Sequence, residues 1–396
     1  MLRIIFSFFA TLGILLSHAS VAAPSPQLPY LQSRAWILVD RLTNTTLTAR
    51  NADMKINPGN TTALMVLYTV EQAIHNKEIQ RDTKVTVSNL ALSLPALNAA
   101  RYYVEPNKPI SVAELELAVA VMAANDAAIA LAEFVGKSID GFVEKMNRNA
   151  RSLGMKDTNY VSPIGTKDEA QYTTAQDTLI LADALLNDCP ALNAFWTTKM
   201  LTNGVLRHKN SNALLWRTDS IKGMHSSEHQ LKSWDSVAYY SRDFIESQTR
   251  FSRELIAVSL GAKSAALNAD DTMRLITWGS DNYKTLLLYS AGDVVDRIPV
   301  ALTNHAKVRV GVKENIYATL ARDAILQEGV NGFNATIQRL DPLVAPISQG
   351  DIVGTLTVTF NGKEVAKTAL IAQHDVQRSS FWRRTLQRIK AIFGME

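Results

Sequence analysis

The pattern with the most overt chemistry is His225-Ser226-Ser227-Glu228-His229. It fits H-x-x-E-H, in which a helix turns two imidazoles toward one zinc ion and sets a glutamate beside the metal-bound water. That chemistry needs a helix and a third ligand. Gly223, Ser226, Ser227 and Ser233 are poor helix-interior residues, so no metal is expected at His225/His229, and no cofactor is expected elsewhere. A second candidate is Asn60-Thr61-Thr62-Ala63, after the Pro58-Gly59 break. A hydroxyl that attacks an acyl group needs a base, and a lysine one helical turn away on the same face would serve. Neither threonine has a lysine three residues later, and Ser-x-x-Lys occurs nowhere in the chain. Cys189, the single cysteine, excludes an internal disulfide and reads as a small buried residue.

The elements that must position these residues are legible. Residues 34–50 alternate around Asn44 and read as a hairpin. Leu64, Leu67, Tyr68 and Glu71 have helical spacing over 61–75. Ser111 and Glu114 form a capping box opening a helix through Leu115, Ala118 and Met122; an Ala-rich helix runs on to Phe134. Ser138 starts another, with Phe142, Met146 and Ala150 on one face and Gly154 as its cap. Asp177 to Leu186 is a further short helix. Strands are expected near 234–241 and 254–260, and then a helix over 268–279 ending at Gly279. From about 288 the texture is all-β. Val308–Val312 and Ile316–Leu320 alternate, and Leu356, Val358 and Phe360 lead into Asn361-Gly362, a strong hairpin signal before Val365. The tryptophans Trp36, Trp196, Trp216, Trp234 and Trp278 read as core or cleft wall.

A chain of 396 residues, 47% hydrophobic and 20% charged, has room for two or three domains with a substantial core. Its net charge of +4 is localised. Arg378, Arg383, Arg384, Arg388 and Lys390 lie in 376–396 against Glu396 alone, and the body 24–375 is nearly neutral. A nucleic-acid footprint needs a basic face on the fold itself, so no nucleic-acid partner is expected. Arg3, a run of apolar residues from Ile4 to Leu16 and the small residues Ser20-Val21-Ala22-Ala23 read as a cleaved secretory signal, residues 1–23. At the other end Trp382, Leu386, Ile389 and Phe393 make one helical stripe, with the cations mainly elsewhere. This is the layout of an amphipathic helix lying on a membrane surface. The domains are then 24–287, mixed α/β; 288–375, all-β; and 376–396, the membrane-surface helix.

The order of these parts resembles the low-molecular-weight penicillin-binding proteins, the D-alanyl-D-alanine carboxypeptidases of the cell envelope. Local segments agree: 52–58 (Ala-Asp-Met-Lys-Ile-Asn-Pro), 124–128 (Ala-Asn-Asp-Ala-Ala), 153–158 (Leu-Gly-Met-Lys-Asp-Thr), 171–177 (Gln-Tyr-Thr-Thr-Ala-Gln-Asp), 212–216 (Asn-Ala-Leu-Leu-Trp) and Ile221-Lys222. The resemblance implies a penicillin-binding, β-lactamase-like transpeptidase fold followed by a small all-β domain. It places 225–229 after a strand, at the turn of a hairpin. It also implies an exported protein on the periplasmic face of the inner membrane, working on peptidoglycan.

The family's reactive motifs are altered. Aligned on Pro58, its Ser-x-x-Lys serine is Asn60 and its lysine is Ala63. Its Ser-Gly-Asn reads Ala123-Ala124-Asn125. Its Lys-Thr-Gly reads Lys222-Gly223-Met224, with a bulky side chain where backbone approaches substrate. The groups that bind, Asn125 and Lys222, remain; the groups that react do not. The expectation is a catalytically degenerate homologue that binds peptidoglycan, a muropeptide or a cell-wall assembly partner without acyl transfer. The competing readings are an active serine-type carboxypeptidase with a non-standard nucleophile, Thr61 or Thr62, and a zinc hydrolase.

Overall fold

The computed structural model describes residues 26–92, 100–105, 108–229, 233–246, 249–303, 307–339 and 341–379. The leader residues 1–23 lie outside them. So do Trp382, Arg383, Arg384, Leu386, Arg388, Ile389 and Phe393 of the amphipathic stretch. The chain forms two compact units; the larger takes residues 27–244 and 251–281, and the smaller takes the chain from Asn282.

In the larger unit β1 (Ala35–Asp40) and β2 (Thr45–Arg50) form the expected hairpin, with Asn44 at φ +50°. Helix α1 (Thr62–His75) follows. The short strands β3 (Lys84–Val85) and β4 (Ile110–Ser111) pair, with α2 (Asn89–Leu92) between them in sequence. Helix α3 (Val112–Met122) opens on the Ser111–Glu114 capping box, in which each residue bonds the other's backbone N–H. Next come α4 (Asn125–Gly136) and α5 (Ile139–Leu153). Ser138 caps α5 at the start and Gly154, at φ +82°, at the end; the buried side chains are Phe142, Met146 and Ala150, as their spacing requires. Helix α6 (Ala175–Asp188) starts on Thr174, whose hydroxyl accepts the Asp177 N–H. A short α7 (Asn193–Trp196) and the hairpin of β5 (Met200–Asn203) and β6 (Leu206–Lys209) lead to β7 (Ile221–His229). Strands β8 (Ser233–Glu246) and β9 (Thr249–Ala262) complete a sheet ordered β2-β1-β9-β8-β7, and α8 (Ala265–Asn282) closes the unit.

All six residues of β1 are buried, because the sheet is covered on both faces. Ala35, Ile37 and Val39 join the helical core with Leu64, Leu67, Leu115, Leu131 and Phe142. Trp36, on the opposite face, packs with Leu275 of α8. The expected stop at Gly279 is corrected, since α8 runs on to Asn282. Gly279 is there for contact: a Cβ on it would lie 2.5 Å from Leu38 Cδ2. The buried Arg253–Asp40 ion pair, 3.0 Å, sits at the end of the same helix, with Arg253 also donating to the carbonyls of Gly279 and Ser280. Strands β8 and β9 run to 14 residues each, longer than their apolar stretches, since a hairpin continues through polar residues once its backbone is paired.

The smaller unit has a five-stranded sheet ordered β11-β12-β16-β15-β14, built from β11 (Val294–Pro299), β12 (Lys307–Gly311), β14 (Phe333–Arg339), β15 (Ile352–Phe360) and β16 (Lys363–Ala372). Beside it β10 (Tyr283–Tyr289) pairs with β13 (Ile316–Ala321), and the short helix α9 (Arg322–Glu328) follows β13. Val308, Val310, Leu356, Val358 and Leu370 form its core. Asn361 and Gly362 turn β15 into β16 with φ of +49° and +77°, as an Asn-Gly hairpin demands.

Candidate functional site

The start of α1 is held by its own polar side chains. Asn57 Oδ1 accepts the Gly59 N–H at 3.0 Å, and its Nδ2 donates to the carbonyls of Thr166 and Asp168. Asn60 is half-buried, with its side-chain oxygen against Gly165. Thr61 is buried and its hydroxyl donates to the Pro58 carbonyl. The Thr62 hydroxyl, fully buried, donates to the Gly59 carbonyl at 2.7 Å and accepts from Gln171 Nε2 at 3.3 Å. Ala63 is buried one residue on. Both hydroxyls at this helix start are therefore engaged within the backbone of their own turn.

Ala123 closes α3 in the left-handed region at φ +50°, and Asn125 begins α4. The Asn125 N–H donates to the Ala100 carbonyl at 2.8 Å, and the residue is 5% exposed. The next residue, Asp126, fixes the segment beside it: its carboxylate accepts the N–H groups of Tyr102, Tyr103 and Val104 at 2.9, 2.8 and 3.2 Å. A buried carboxylate with several backbone donors is a positioning device, and the sequence marks it only as the residue after Asn125.

On β7 the register shifts between Ile221 and Gly223, which pair with Tyr240 and Tyr239 of the neighbouring strand. Lys222 is the extra residue of this bulge. It is exposed and lines an open groove of about 600 Å³ with Thr218, Asp219, Ser220, Ser241, Arg242 and Asp243. Asn125 is not among that lining. Gly223 has φ +136°, and a Cβ there would stand 2.6 Å from Trp196 Cβ. Met224 is fully buried in the helical core. The bulge thus separates residues that a regular strand would put on one face: Lys222 goes to solvent, Met224 into the core.

His225 is 1% exposed and its ring donates to the Asn60 backbone carbonyl. Burial pushes its pKa down to about 4. It is a neutral strut between β7 and the turn before α1. Residues 225–229 lie within β7, not at the hairpin turn that the resemblance implied. In a strand, residues four apart are separated by roughly 13 Å of backbone, so His225 and His229 cannot share a metal as on a helix. Among the described residues no group of three or more His, Cys, Asp and Glu is placed to hold a metal ion.

The model of the family described as D-alanyl-D-alanine carboxypeptidase matches residues 20–264, well over half of the chain. This chain belongs to the D-alanyl-D-alanine carboxypeptidase family. A second model, the C-terminal domain of penicillin-binding protein 5, matches residues 283–378. The chain is 30% identical over 371 residues to the D-alanyl-D-alanine carboxypeptidase DacC of Escherichia coli, covering 92% of this chain and 90% of that protein. It is 26% identical over 396 residues to DacA of Haemophilus influenzae, covering 98% of each. The solved structure of penicillin-binding protein 5 from Haemophilus influenzae superposes with a TM-score of 0.75 at 26% identity, over 89% of this chain and 99% of that one.

Two site features were not legible in advance. One is the commitment of both threonine hydroxyls to their own turn, which i to i−3 spacing permits but does not require. The other is a buried charge cluster behind the site helices. Arg81 bonds both oxygens of Glu71 at 2.5 and 2.6 Å and Glu116 at 3.1 Å. Glu116 is fully buried, and burial pushes its pKa up to about 9. Cys189 is buried as expected, and burial raises its thiol pKa, which leaves it inert.

Proposed function

We propose that this chain is a non-catalytic member of its family, which binds peptidoglycan, a muropeptide or a cell-wall assembly partner and does not transfer an acyl group. One observation carries this. Where acyl transfer needs a free hydroxyl beside an amine, the helix start presents Asn60 and Ala63, and the neighbouring Thr61 and Thr62 hydroxyls donate to the carbonyls of Pro58 and Gly59. Loss of a serine nucleophile alone costs on the order of a million-fold in rate in a serine hydrolase. A threonine whose proton is already donated to a backbone carbonyl, with no lysine one turn later, is a poor replacement. The same observation weighs against the active-enzyme reading, and the strand conformation of 225–229 weighs against the zinc reading.

Candidate ligand contacts are Asn125 at the start of α4 and Lys222 at the β7 bulge; the latter would act from its open groove. The names of the relatives, all carboxypeptidases, and the exported N-terminal pattern support a place at the periplasmic face of the inner membrane, with 376–396 holding the protein there peripherally. The deciding experiment is labelling with a fluorescent penicillin together with D-alanine release from a pentapeptide. No covalent band and no release are expected. A covalent band, or release at a rate typical of the relatives, overturns the proposal. For Lys222 the check is retention on purified sacculi: the Lys222→Ala protein is expected to be retained less, and equal retention removes Lys222 from the binding surface.

A further inference from the structure

Four of the five scattered tryptophans are buried or half-buried; Trp216 is 45% exposed. It ends a short helical turn, Ala213–Trp216, and two ammonium groups converge on its indole. Lys209 Nζ lies 4.7 Å and Lys199 Nζ 5.5 Å from the ring centroid. Both lysines belong to the base of the β5–β6 hairpin, where Lys209 pairs with Met200 and the Asn210 N–H bonds the Lys199 carbonyl at 2.9 Å. Segment 199–222 carries Lys199, Arg207, Lys209, Arg217 and Lys222 against Asp219 alone, and of these Arg217 pairs with Asp270 at 2.7 Å. Asp219 is 3.8 Å from Lys199 and almost wholly exposed, so water screens most of its compensation.

The hairpin is anchored. Asn203 Nδ2 donates to the Tyr102 carbonyl at 2.9 Å, His208 stacks on Tyr103, and Asp126 fixes the backbone of 102–104. A partly exposed indole beside two ammonium groups from the base of an anchored hairpin suits a ligand that offers both carboxylates and apolar surface. A sugar ring or acyl group packs on the aromatic surface, and carboxylates sit between the lysines, relieving their mutual repulsion.

We infer that Trp216, Lys199 and Lys209 form a binding platform for an acidic glycopeptide strand of the cell wall. The inference rests on the peptidoglycan-binding reading above. The platform holds the strand by stacking and charge, and its affinity falls as salt screens the lysines.

The test is co-sedimentation of the full chain with purified sacculi across a sodium chloride series. It compares wild type, Trp216→Ala and the double variant Lys199→Gln/Lys209→Gln, with thermal melts to establish that each is folded. The double variant is expected to bind at least tenfold more weakly and to lose most of the salt dependence; Trp216→Ala is expected to bind more weakly with the salt dependence kept. If wild type sediments and both folded variants sediment equally well, the platform is overturned while the cell-wall reading stands. If wild type does not sediment, both fall. If the lysines matter only for sedimentation with phosphatidylglycerol vesicles, the partner is a lipid surface and the inference is wrong.

Discussion

His225 shows how a residue with catalytic potential becomes structural. Its ring is enclosed, its proton goes to the Asn60 carbonyl, and its pKa is held at about 4. A histidine depressed from an ordinary value of about 6.5 stabilises the fold fully above pH 6.5, and that stability is lost as pH falls toward 4. Between pH 7.5 and pH 4.5 the loss from this group is about 2–3 kcal/mol. Urea unfolding of wild type and His225→Gln at the two pH values is expected to show a pH-dependent loss smaller in the variant by that amount. Glu116 has the opposite sign. Its pKa is raised to about 9, so its contribution is present below about pH 4.5 and is lost as pH rises through 9. Glu116→Gln is expected to change stability by less than about 1 kcal/mol at pH 4, to be more stable than wild type at pH 7, and to flatten the pH dependence above pH 5. Arg81→Met, which leaves Glu71 and Glu116 without their cation, is expected to cost about 3–5 kcal/mol. Equilibrium unfolding measures both.

Among the elements, β7 decides what the site can be. Its bulge at Lys222 and the left-handed Gly223 are mutually consistent with Met224 in the core, and none of the three can revert alone. Gly223→Thr, which writes back the family's residue, puts a Cβ 2.6 Å from Trp196 Cβ at φ +136°. It is expected to lower stability by about 2–4 kcal/mol and to restore no penicillin labelling. A thermal melt unchanged from wild type would mean that β7 can return to a regular strand. At the start of α1 the same interdependence holds. The Thr61 and Thr62 hydroxyls bond the carbonyls of Pro58 and Gly59 in their own turn, so their replacement by alanine is a stability experiment before it is an activity one.

At the scale of the whole molecule, charge is distributed by task. The body is nearly neutral as a whole, with a local cationic segment at 199–222, and 376–396 carries a net +4. No helix among the described residues is long and apolar enough to cross a membrane. Deleting 380–396 is therefore expected to abolish sedimentation with phosphatidylglycerol vesicles and to leave the melting temperature of the two units unchanged. Undiminished sedimentation of the shortened protein would remove the membrane role from that segment.

Much of this molecule is local and could be read from the chain. The Ser111–Glu114 box, the 142–146–150 stripe with Gly154 and the Asn361-Gly362 turn each follow from short-range backbone chemistry. The absence of a serine and a lysine at positions 60 and 63 is likewise a fact of sequence. The tertiary structure decided everything that depends on residues far apart. Gly279 reads as a stop until Leu38 is seen against it. Met224 reads as an obstruction until the β7 bulge turns it inward. Trp216 reads as core or cleft wall until the lysines of a hairpin are found on its ring. Burial, register and the convergence of charges are properties of packing between distant segments, and spacing along one segment does not encode them.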